Sequence, residues 1–533
     1  MAFSRARLSA AAPGTRERTA PPPAVDGGPI APARGRWRAL WASSLHGLRG
    51  PGLFVALLLG VILVSGLVMR LVHIGYGLPY VYNYDEANHF TNHSVNFFTD
   101  DFDPGYYQNP SGLTELIYVV LRVQYGLLGG IFHLAHGTVS RQFALDPTPI
   151  FRDARVMCAV LAMIGVVATF FVARRFWGAS VGLVAAALLT FAFLPFTYSR
   201  IAVTDVGTFL PVAVVLYAVL RLYSDGRRRW YVVAGAATGV AIGFKYTAGL
   251  VLIPLLIEAA RRFWIDKGTP LLRREALRGF VLGCVALVGV FFITTPYFFV
   301  HPHTAAYQLK QQAVAAGDTV KVGQEQQGGF AYYFESFGWG FGWAPLVAAL
   351  VGAGFEFRRN RYRTLLVVVF PVVMFLYLGT QTRYFGRWLL AIYPILAILA
   401  GIGVVGVARL VAGRRVAVQA GLAALLCAGL LVQPVAADVR TTRVLGRTDT
   451  RDLARTWLVG HLPRSLRIVV EPAVPDQWYK VKGQKVDQRQ FVRGFVRDIR
   501  RQANADAPPG VSLAYADTFN PGLIDAYRSK GFC

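Results

Sequence analysis

Long apolar segments separated by short polar ones dominate the chain from residue 53 onward. A helix needs about 20 residues to cross the hydrocarbon core of a bilayer, and several of these segments reach or approach that length. The pattern predicts eleven transmembrane helices, over Leu53–Ile74 and approximately residues 156–173, 180–197, 206–223, 231–244, 248–260, 279–299, 338–355, 364–380, 388–408 and 416–433. The predicted fold class is therefore an all-α polytopic membrane domain.

Clusters of arginine between these segments predict the orientation of the chain. With the N-terminus inside, every double or triple arginine between helices lies on the cytoplasmic side, as the positive-inside rule requires. These clusters are Arg174-Arg175, Arg227-Arg228-Arg229, Arg261-Arg262, Arg273-Arg274, Arg358-Arg359 with Arg361 and Arg363, and Arg414-Arg415. We therefore expect a multi-pass protein of the cell inner (plasma) membrane, with the C-terminus outside.

The segment Leu113–Leu134 is also apolar enough to be a helix. If it crossed the membrane, every later arginine cluster would move to the outside. It also contains Arg122, Gln124 and a Gly129-Gly130 break. We expect an interfacial or re-entrant juxtamembrane helix within the first outer loop, which does not cross the membrane, and a twelfth span is the alternative.

Three regions follow from this topology. Residues 1–50 are predicted to be a disordered basic cytoplasmic tail, and residues 51–435 a transmembrane domain with a first outer loop at 75–151. Residues 436–533 are predicted to be a small α/β extracytoplasmic domain. Asp449 can cap a helix that ends near Pro463, and Arg467–Val470 resembles a strand.

Composition narrows the function classes. Of the 533 residues 54% are hydrophobic and 16% charged, and the mean hydropathy is +0.43. The net charge of +26 lies in short clusters between apolar segments and not along a soluble basic surface with aromatic residues, so we do not expect nucleic acid as a partner. The four cysteines fit neither zinc spacing nor a disulfide framework. The preference for Arg over Lys hints at a bacterial source.

An acidic pair, Asp85-Glu86, follows the first predicted helix by about ten residues. A carboxylate at a bilayer surface could accept a proton from an attacking hydroxyl or amine, or could hold a divalent cation. The alternative is a solvated loop acid, because Asp85 is also a fair helix N-cap.

Further charged residues fall on the same predicted face. Arg200 and Asp205 flank the turn between the third and fourth helices, where an ion pair or helix cap is the ordinary explanation. Lys245 ends the fifth helix and could either snorkel toward headgroups or bind phosphate. Arg383 and Arg387 precede the tenth helix, and arginine can bind phosphate through two parallel hydrogen bonds.

Histidines add candidates for acceptor or metal contacts. His89 follows the acidic pair, and His301 and His303 end the seventh helix on the outer side. Two histidines two residues apart could contribute to a metal site, although a polar loop is the commoner explanation. A divalent metal is possible, and no metal site is identified.

Taken in order, these motifs resemble the GT-C class of integral membrane glycosyltransferases, in particular the branch with protein O-mannosyltransferases and the lipid A aminoarabinose transferase. The similar positions are Tyr84-Asp85-Glu86-Ala87, Gln108-Asn109-Pro110 with 113–134, Ser199-Arg200 with Asp205, Gly243–Thr247, Arg383-Tyr384 and Asp449–Pro463. The resemblance covers about residues 53–470. The chain departs from the common Pro-Pro-Leu pattern at Pro110-Ser111-Gly112, which affects the expected donor or acceptor contacts.

The resemblance implies an inverting sugar transfer from a polyprenyl-phosphate donor at the outer membrane surface, by a hexosyl- or pentosyltransferase. Asp85 would be the general base, and Glu86 and Asp205 would orient it or the acceptor. Lys245, Arg383 and Arg387 would neutralise the donor phosphate, and Arg200 would join them or pair with Asp205. The implied partners are the lipid-linked donor, membrane lipids and an acceptor protein, lipid or polysaccharide.

A lipid-linked glycan transporter or flippase is the alternative function. Transporters place ionisable groups near the middle of the bilayer, often on discontinuous helices. Here the helix interiors are nearly free of charge, and the charged residues lie at the outer ends. This distribution favours chemistry at the membrane surface.

Overall fold

A computed structural model describes residues 51–83, 85–99, 102–128, 139–265, 270–318, 328–461 and 529. All regular secondary structure in these ranges is helical. Residues from Leu57 onward form one compact unit, and residues 1–56, of which 51–56 are described, form another. The predicted basic tail at 1–50 and the predicted strand at 467–470 lie outside the described residues.

The described α-helices are numbered here in chain order. They are α1 Pro51–Leu71, α2 Thr91–Asn96, α3 Gly112–Leu121, α4 Val139–Leu145, α5 Thr148–Trp177, α6 Ala179–Phe191, α7 Phe193–Tyr198, α8 Phe209–Asp225, α9 Arg229–Phe244, α10 Ile253–Ala260, α11 Pro270–Thr294, α12 Pro296–Val300, α13 Pro302–Asp318, α14 Gly329–Phe337, α15 Trp343–Arg359, α16 Arg361–Gly379, α17 Tyr393–Ala412, α18 Val416–Leu445 and α19 Thr450–His461. Short 3₁₀ and π turns join several of them; those are Glu86–Phe90, Phe97–Thr99, Arg122–Leu128, Asp205–Thr208, Tyr246–Leu252, Arg261–Ile265, Gly338–Gly342 and Gly386–Ile392.

Eight helices in the described ranges are long and apolar enough to cross a membrane. They are Gly52–Leu71, Thr148–Trp177, Asp205–Asp225, Pro270–Thr294, Gly329–Arg359, Arg361–Gly379, Gly386–Ala412 and Val416–Ala454. The other predicted segments are also helical but shorter: 180–197 falls on α6 and α7, 231–244 on α9, and 248–260 on the turn Tyr246–Leu252 and α10. A multi-pass helical membrane protein is therefore confirmed, and the number of eleven spans stays a prediction.

Helix α17 lies at the centre of the bundle. In its most apolar stretch 89% of the residues are buried, against 11% in α1 and 11% in α18, and it packs against α6, α15 and α18. Val61 and Val64 of α1 are exposed. Because lipid tails are as apolar as these side chains, an exposed valine on a membrane helix needs no protein partner.

Buried glutamates tie helix ends together on one side of the bundle. The Glu258 carboxylate accepts hydrogen bonds from Arg261, Arg262 and the Tyr362 hydroxyl. A buried carboxylate must be paired to be tolerated, and these arginines pair with it from the turn that follows α10, while Tyr362 joins α10 to α16. They belong to the clusters that the sequence assigns to the cytoplasmic side.

The first outer loop contains the predicted juxtamembrane helix, which begins with α3 and continues as the turn Arg122–Leu128. Leu113, Ile117 and Leu121 are buried at helical spacing. A Cβ at Gly112 would lie 2.5 Å from the Gly243 carbonyl oxygen, so the glycine permits α3 to pack closely on the end of α9. Residues 129–138 of this segment lie outside the described ranges, and its position at the interface stays a prediction.

Helix α18 runs through residue 436, where the sequence predicts the C-terminal domain to begin, and ends at Leu445. The helix predicted after Asp449 is confirmed as α19. Its first turn is capped by Asp449, whose Oδ1 accepts a hydrogen bond of 2.9 Å from the Arg451 amide.

Candidate active site

Four charged side chains from distant parts of the sequence meet at one end of the bundle. The Arg387 guanidinium contacts the Asp85 carboxylate, and its Nε lies 3.9 Å from Oδ2 of Asp205. The Lys245 ammonium contacts Oδ1 of Asp205. We call Asp85, Asp205, Lys245 and Arg387 the charged quartet; all were predicted from the sequence as site residues.

Three members of the quartet lie within or directly before a 3₁₀ turn at the end of a helix. Asp205 opens the turn Asp205–Thr208, Lys245 follows α9 in extended conformation, and Arg387 lies in the turn Gly386–Ile392. Gly207 lies against the Phe244 ring, and any Cβ at Gly207 would collide with it. This close approach brings Asp205 and Lys245 together.

Two tyrosines of α14 hold the turn that carries Arg387. The Tyr333 hydroxyl accepts a hydrogen bond from the Phe385 amide at 3.3 Å, and the Tyr332 hydroxyl accepts one from the Gly386 amide at 3.0 Å. The Tyr198 ring centroid lies 5.9 Å from the Arg387 guanidinium carbon. Arg387 is thus fixed by its backbone and by an aromatic neighbour.

Exposure differs across the quartet. The Asp205 side chain is 4% exposed and the Asp85 side chain 30%. The two carboxylates and two cations balance in charge, which lowers the cost of partial burial. Asp85 is the acid that an incoming molecule can reach most easily.

Glu86 occupies a different environment from its neighbour Asp85. Its side chain is fully buried, and its two oxygens accept hydrogen bonds of 2.7 and 2.8 Å from Arg155. Oε1 also accepts one of 2.9 Å from the Ala202 amide. The arrangement makes Glu86 a buried anchor between the outer loop, α5 and the turn before Asp205.

Sequence reasoning missed Arg155. An arginine at the outer start of the second predicted helix runs against the positive-inside bias, just as Lys245 does, and this was the available signal. Arg155 also donates to the carbonyl oxygens of Ile74 and Tyr76 at 2.8 Å. It therefore holds the chain that leads from α1 to Asp85.

Arg200 contacts groups outside the quartet. Its guanidinium donates to the Val72 carbonyl at 2.5 Å and to the Thr442 hydroxyl at 3.1 Å. Asp205 pairs instead with Lys245 and Arg387. Arg383 lies four residues before Arg387, and its backbone amide donates to the Ala316 carbonyl of α13 at 2.9 Å.

An aromatic stack lies beside Asp85. The His89 ring stacks on Tyr106 with centroids 4.4 Å apart, and His93 faces the same tyrosine at 5.7 Å. Nε2 of His89 is 3.9 Å from Oδ1 of Asp85. Burial lowers the pKa of His89, an effect that Asp85 opposes, so the imidazole is neutral at pH 7.

The other predicted histidines lie further along the outer side. Nε2 of His301 is 3.3 Å from Oδ2 of Asp103, and His303 is exposed at the start of α13. Within the described ranges, no group of three or more His, Cys, Asp or Glu side chains could hold a metal ion.

Part of the chain matches a known protein family, and most of it shares the fold of a solved structure. Residues 151–297 match the family described as dolichyl-phosphate-mannose-protein mannosyltransferase. No curated protein sequence shows significant similarity to the chain.

Two crystal structures of ArnT from Cupriavidus metallidurans share the fold. The one bound to undecaprenyl phosphate has a TM-score of 0.54 at 16% identity and covers 85% of this chain and 91% of ArnT. The apo structure has a TM-score of 0.51 at 16% identity, with 86% and 94% covered. Residues 151–297 are thus similar to a family of membrane mannosyltransferases, and most of the chain shares the fold of ArnT.

Proposed function

We propose that the protein transfers a sugar from a polyprenyl-phosphate donor to an acceptor at the outer face of the cytoplasmic membrane, with inversion at the anomeric carbon. The observation that carries this proposal is the charged quartet at one end of a GT-C bundle. It joins an accessible carboxylate, Asp85, to cations suited to a phosphate, Lys245 and Arg387.

In the reaction, the acceptor X–H attacks the anomeric carbon as Asp85 takes its proton. The bond between that carbon and X forms while the bond to the phosphate oxygen breaks, and the electron pair leaves with the polyprenyl phosphate. Lys245 and Arg387 stabilise the charge that develops on this oxygen. Direct displacement by one nucleophile inverts the anomeric centre.

The remaining acids are assigned by their surroundings. Asp205 holds Lys245 and orients Arg387, and both contacts support a positioning role. Glu86 acts through Arg155 to fix the backbone beside Asp85, because its carboxylate is buried and already hydrogen-bonded. It is thus proposed as a positioning residue for Asp85, which is one of the alternatives that the resemblance implied.

Arg383 is proposed as a further contact for the donor phosphate, since it lies four residues before Arg387. Arg200 is proposed to support the outer loop through Val72 and Thr442. His89, His301 and His303 are proposed acceptor contacts. His89 is adjacent to Asp85 and presents a neutral imidazole.

The lipid part of the donor is supported by the fold. ArnT, which shares it, has been crystallised with undecaprenyl phosphate. The eight apolar helices supply a membrane domain in which a polyprenyl chain can remain while its phosphate reaches the quartet. The sugar and the acceptor are to be found by experiment.

The direct test is to incubate purified protein with membranes and a panel of radiolabelled polyprenyl-phosphate sugars, and to follow the label. Loss of a general base commonly lowers the rate of a reaction by about 10²–10⁴-fold. The rate of sugar transfer by Asp85→Asn should therefore be lower than that of the wild type by this factor. Asp103→Asn, a matched change on the same loop, should retain transfer. Near-normal transfer by folded Asp85→Asn would remove the base assignment.

The transporter alternative is less well supported. Asp438 is fully buried in α18 and interacts electrostatically with Arg70 and Arg200, as an intramembrane ionisable site would. However, Arg70 is the penultimate residue of α1, and Asp438 lies beyond the apolar segment 416–433. Arg70 is thus at a helix end and Asp438 lies outside the apolar segment, and both positions favour a role in supporting the proposed outer site.

A further inference from the structure

Arg387 is shared between two acids that the proposed reaction uses differently. Its guanidinium contacts Asp85, and its Nε lies 3.9 Å from Asp205. Arginine presents five donors in a rigid plane and can contact two anions at once. The cation proposed to bind the donor phosphate thus contacts the proposed base.

This contact weakens both partners for chemistry. A carboxylate beside a guanidinium holds a proton less readily, so Asp85 is a poorer base while Arg387 contacts it. Arg387 in turn cannot neutralise a leaving phosphate fully while Asp85 occupies part of its donor plane. The reaction requires the pair to separate.

We propose that the donor phosphate displaces Asp85 from Arg387, so that donor binding itself releases the catalytic base. This inference rests on the proposed function and adds an order of binding to it. Arg387 moves from a carboxylate to the phosphodiester of the donor, which carries the same single negative charge but is also contacted by Lys245. Asp85 is then available to the acceptor only when a donor is present.

The surroundings of the two acids determine which one is released. Asp205 is 4% exposed and also contacts Lys245, so it stays in place and continues to orient Arg387. Asp85 is 30% exposed and lies on the outer loop, where it can turn toward an acceptor. The same contact keeps the base occupied when no donor is bound.

Competition for Arg387 predicts an unusual result for Asp85→Asn. Removing the carboxylate removes the competitor, so this inactive variant should bind undecaprenyl phosphate more tightly than the wild type. We expect about threefold to tenfold tighter binding, in the range of a partly buried ion pair that no longer competes. The measurement is equilibrium binding of undecaprenyl phosphate to the full chain in nanodiscs.

Two controls separate this exchange from a general charge effect. Asp103→Asn makes the same change in net charge on the same loop, but Asp103 contacts His301 and Tyr107. Because salt screens the charge of Asp103 from the quartet, this variant should bind undecaprenyl phosphate within about twofold of the wild type. In an Arg387→Gln background, where affinity is lower, Asp85→Asn should give no gain. A gain that persists without Arg387 would overturn the exchange.

Each outcome has one meaning. Wild-type protein that is folded and fails to bind undecaprenyl phosphate would reject the proposed donor, and with it the function. Wild-type binding with no gain in Asp85→Asn would reject the exchange and leave the proposed function intact. Should Asp85→Asn unfold, Asp85→Ser provides the same comparison, with thermal unfolding as the check on folding.

Discussion

At the scale of single residues, the acidic pair of the first outer loop divides into two roles. Asp85 is partly exposed and contacts Arg387, whereas Glu86 is fully buried and contacts Arg155. Neighbouring side chains on a helical turn point about 100° apart, so one can face a cleft while the next enters the core. The chemistry of the two carboxylates is the same, and their surroundings separate them.

The two acids should respond differently to loss of charge. Removing one partner of a buried ion pair leaves an uncompensated charge and costs about 3–5 kcal/mol, so Glu86→Gln should lower the stability by about that amount. Asp85→Asn should leave the stability close to that of the wild type. Thermal and denaturant unfolding in detergent measure both. Glu86→Gln that is inactive but as stable as the wild type would instead indicate a direct catalytic role.

At the scale of elements, the start of the C-terminal region supports the turn that leads to Asp85. The Arg451 guanidinium lies 3.7 Å from the Tyr82 ring centroid, and the Tyr82 hydroxyl donates to Asp452. Val81 has a φ of 49°, which is strained for a β-branched residue. Such a conformation persists only when neighbours hold it, and α19 provides that support.

Loss of this contact should loosen the turn before Asp85. Arg451→Ala should increase hydrogen exchange of the amides at 72–83 by about fivefold, because a cation–π contact at a partly exposed site is lost. Transfer should fall with it. Arg447→Ala, the same change at an exposed arginine one turn away, is the control. Equal exchange in both variants would show that α19 does not hold the turn.

The juxtamembrane helix α3 carries an acid whose protonation depends on folding. Burial raises the pKa of Glu115 from 4.5 to about 7, although the Ser111 hydroxyl that donates to it opposes the shift. The folded protein therefore binds this proton more tightly than the unfolded chain does. The resulting stability is present below pH 4.5 and is lost as the pH rises to about 7.

Glu115→Gln should remove this dependence. The wild type should lose thermal stability between pH 5 and pH 8, and the variant should lose less, since its amide does not titrate. Glu335→Gln, at an exposed acid of α14, should behave as the wild type. Parallel curves for all three proteins would show that Glu115 does not contribute in this pH range.

At the scale of the whole molecule, the quartet and the arginine–glutamate pairs lie at opposite ends of the helices. The quartet lies at the ends and starts of helices that the sequence assigns to the outside. The arginines that bind Glu258 and Glu356 lie at the ends assigned to the cytoplasm. This segregation is compatible with the proposed phosphate chemistry at one surface and with the positive-inside rule at the other.

The predicted orientation can be tested with single cysteines. In a background without native cysteines, Thr380→Cys should react with a membrane-impermeant thiol reagent added to intact cells. Ser224→Cys should react only after the membrane is opened. Both positions are exposed in the structure. If one of these cysteines does not react with the reagent in intact cells, it lies on the cytoplasmic side and is not hidden by burial. The reverse pattern would invert the topology and place the quartet in the cytoplasm.

The sequence by itself determined the helical membrane class and the candidate residues of the site. Apolar segments of sufficient length admit few soluble alternatives, and each predicted segment is helical. Asp85, Asp205, Lys245 and Arg387 stood out because charges at the outer ends of apolar segments are costly and run against the usual bias. These signals are local, so a single chain contains them.

Only the tertiary structure decided which of these residues meet. Arg200 was predicted either to join the phosphate-binding cations or to pair with Asp205, and its guanidinium contacts Val72 and Thr442. Arg387 reaches both acids from 182 residues beyond Asp205. Hydropathy and charge report the depth of a residue in the membrane and the side on which it lies. They carry no information about how helices are arranged around one another, because that arrangement depends on side-chain packing and close approaches such as that of Gly207 to Phe244.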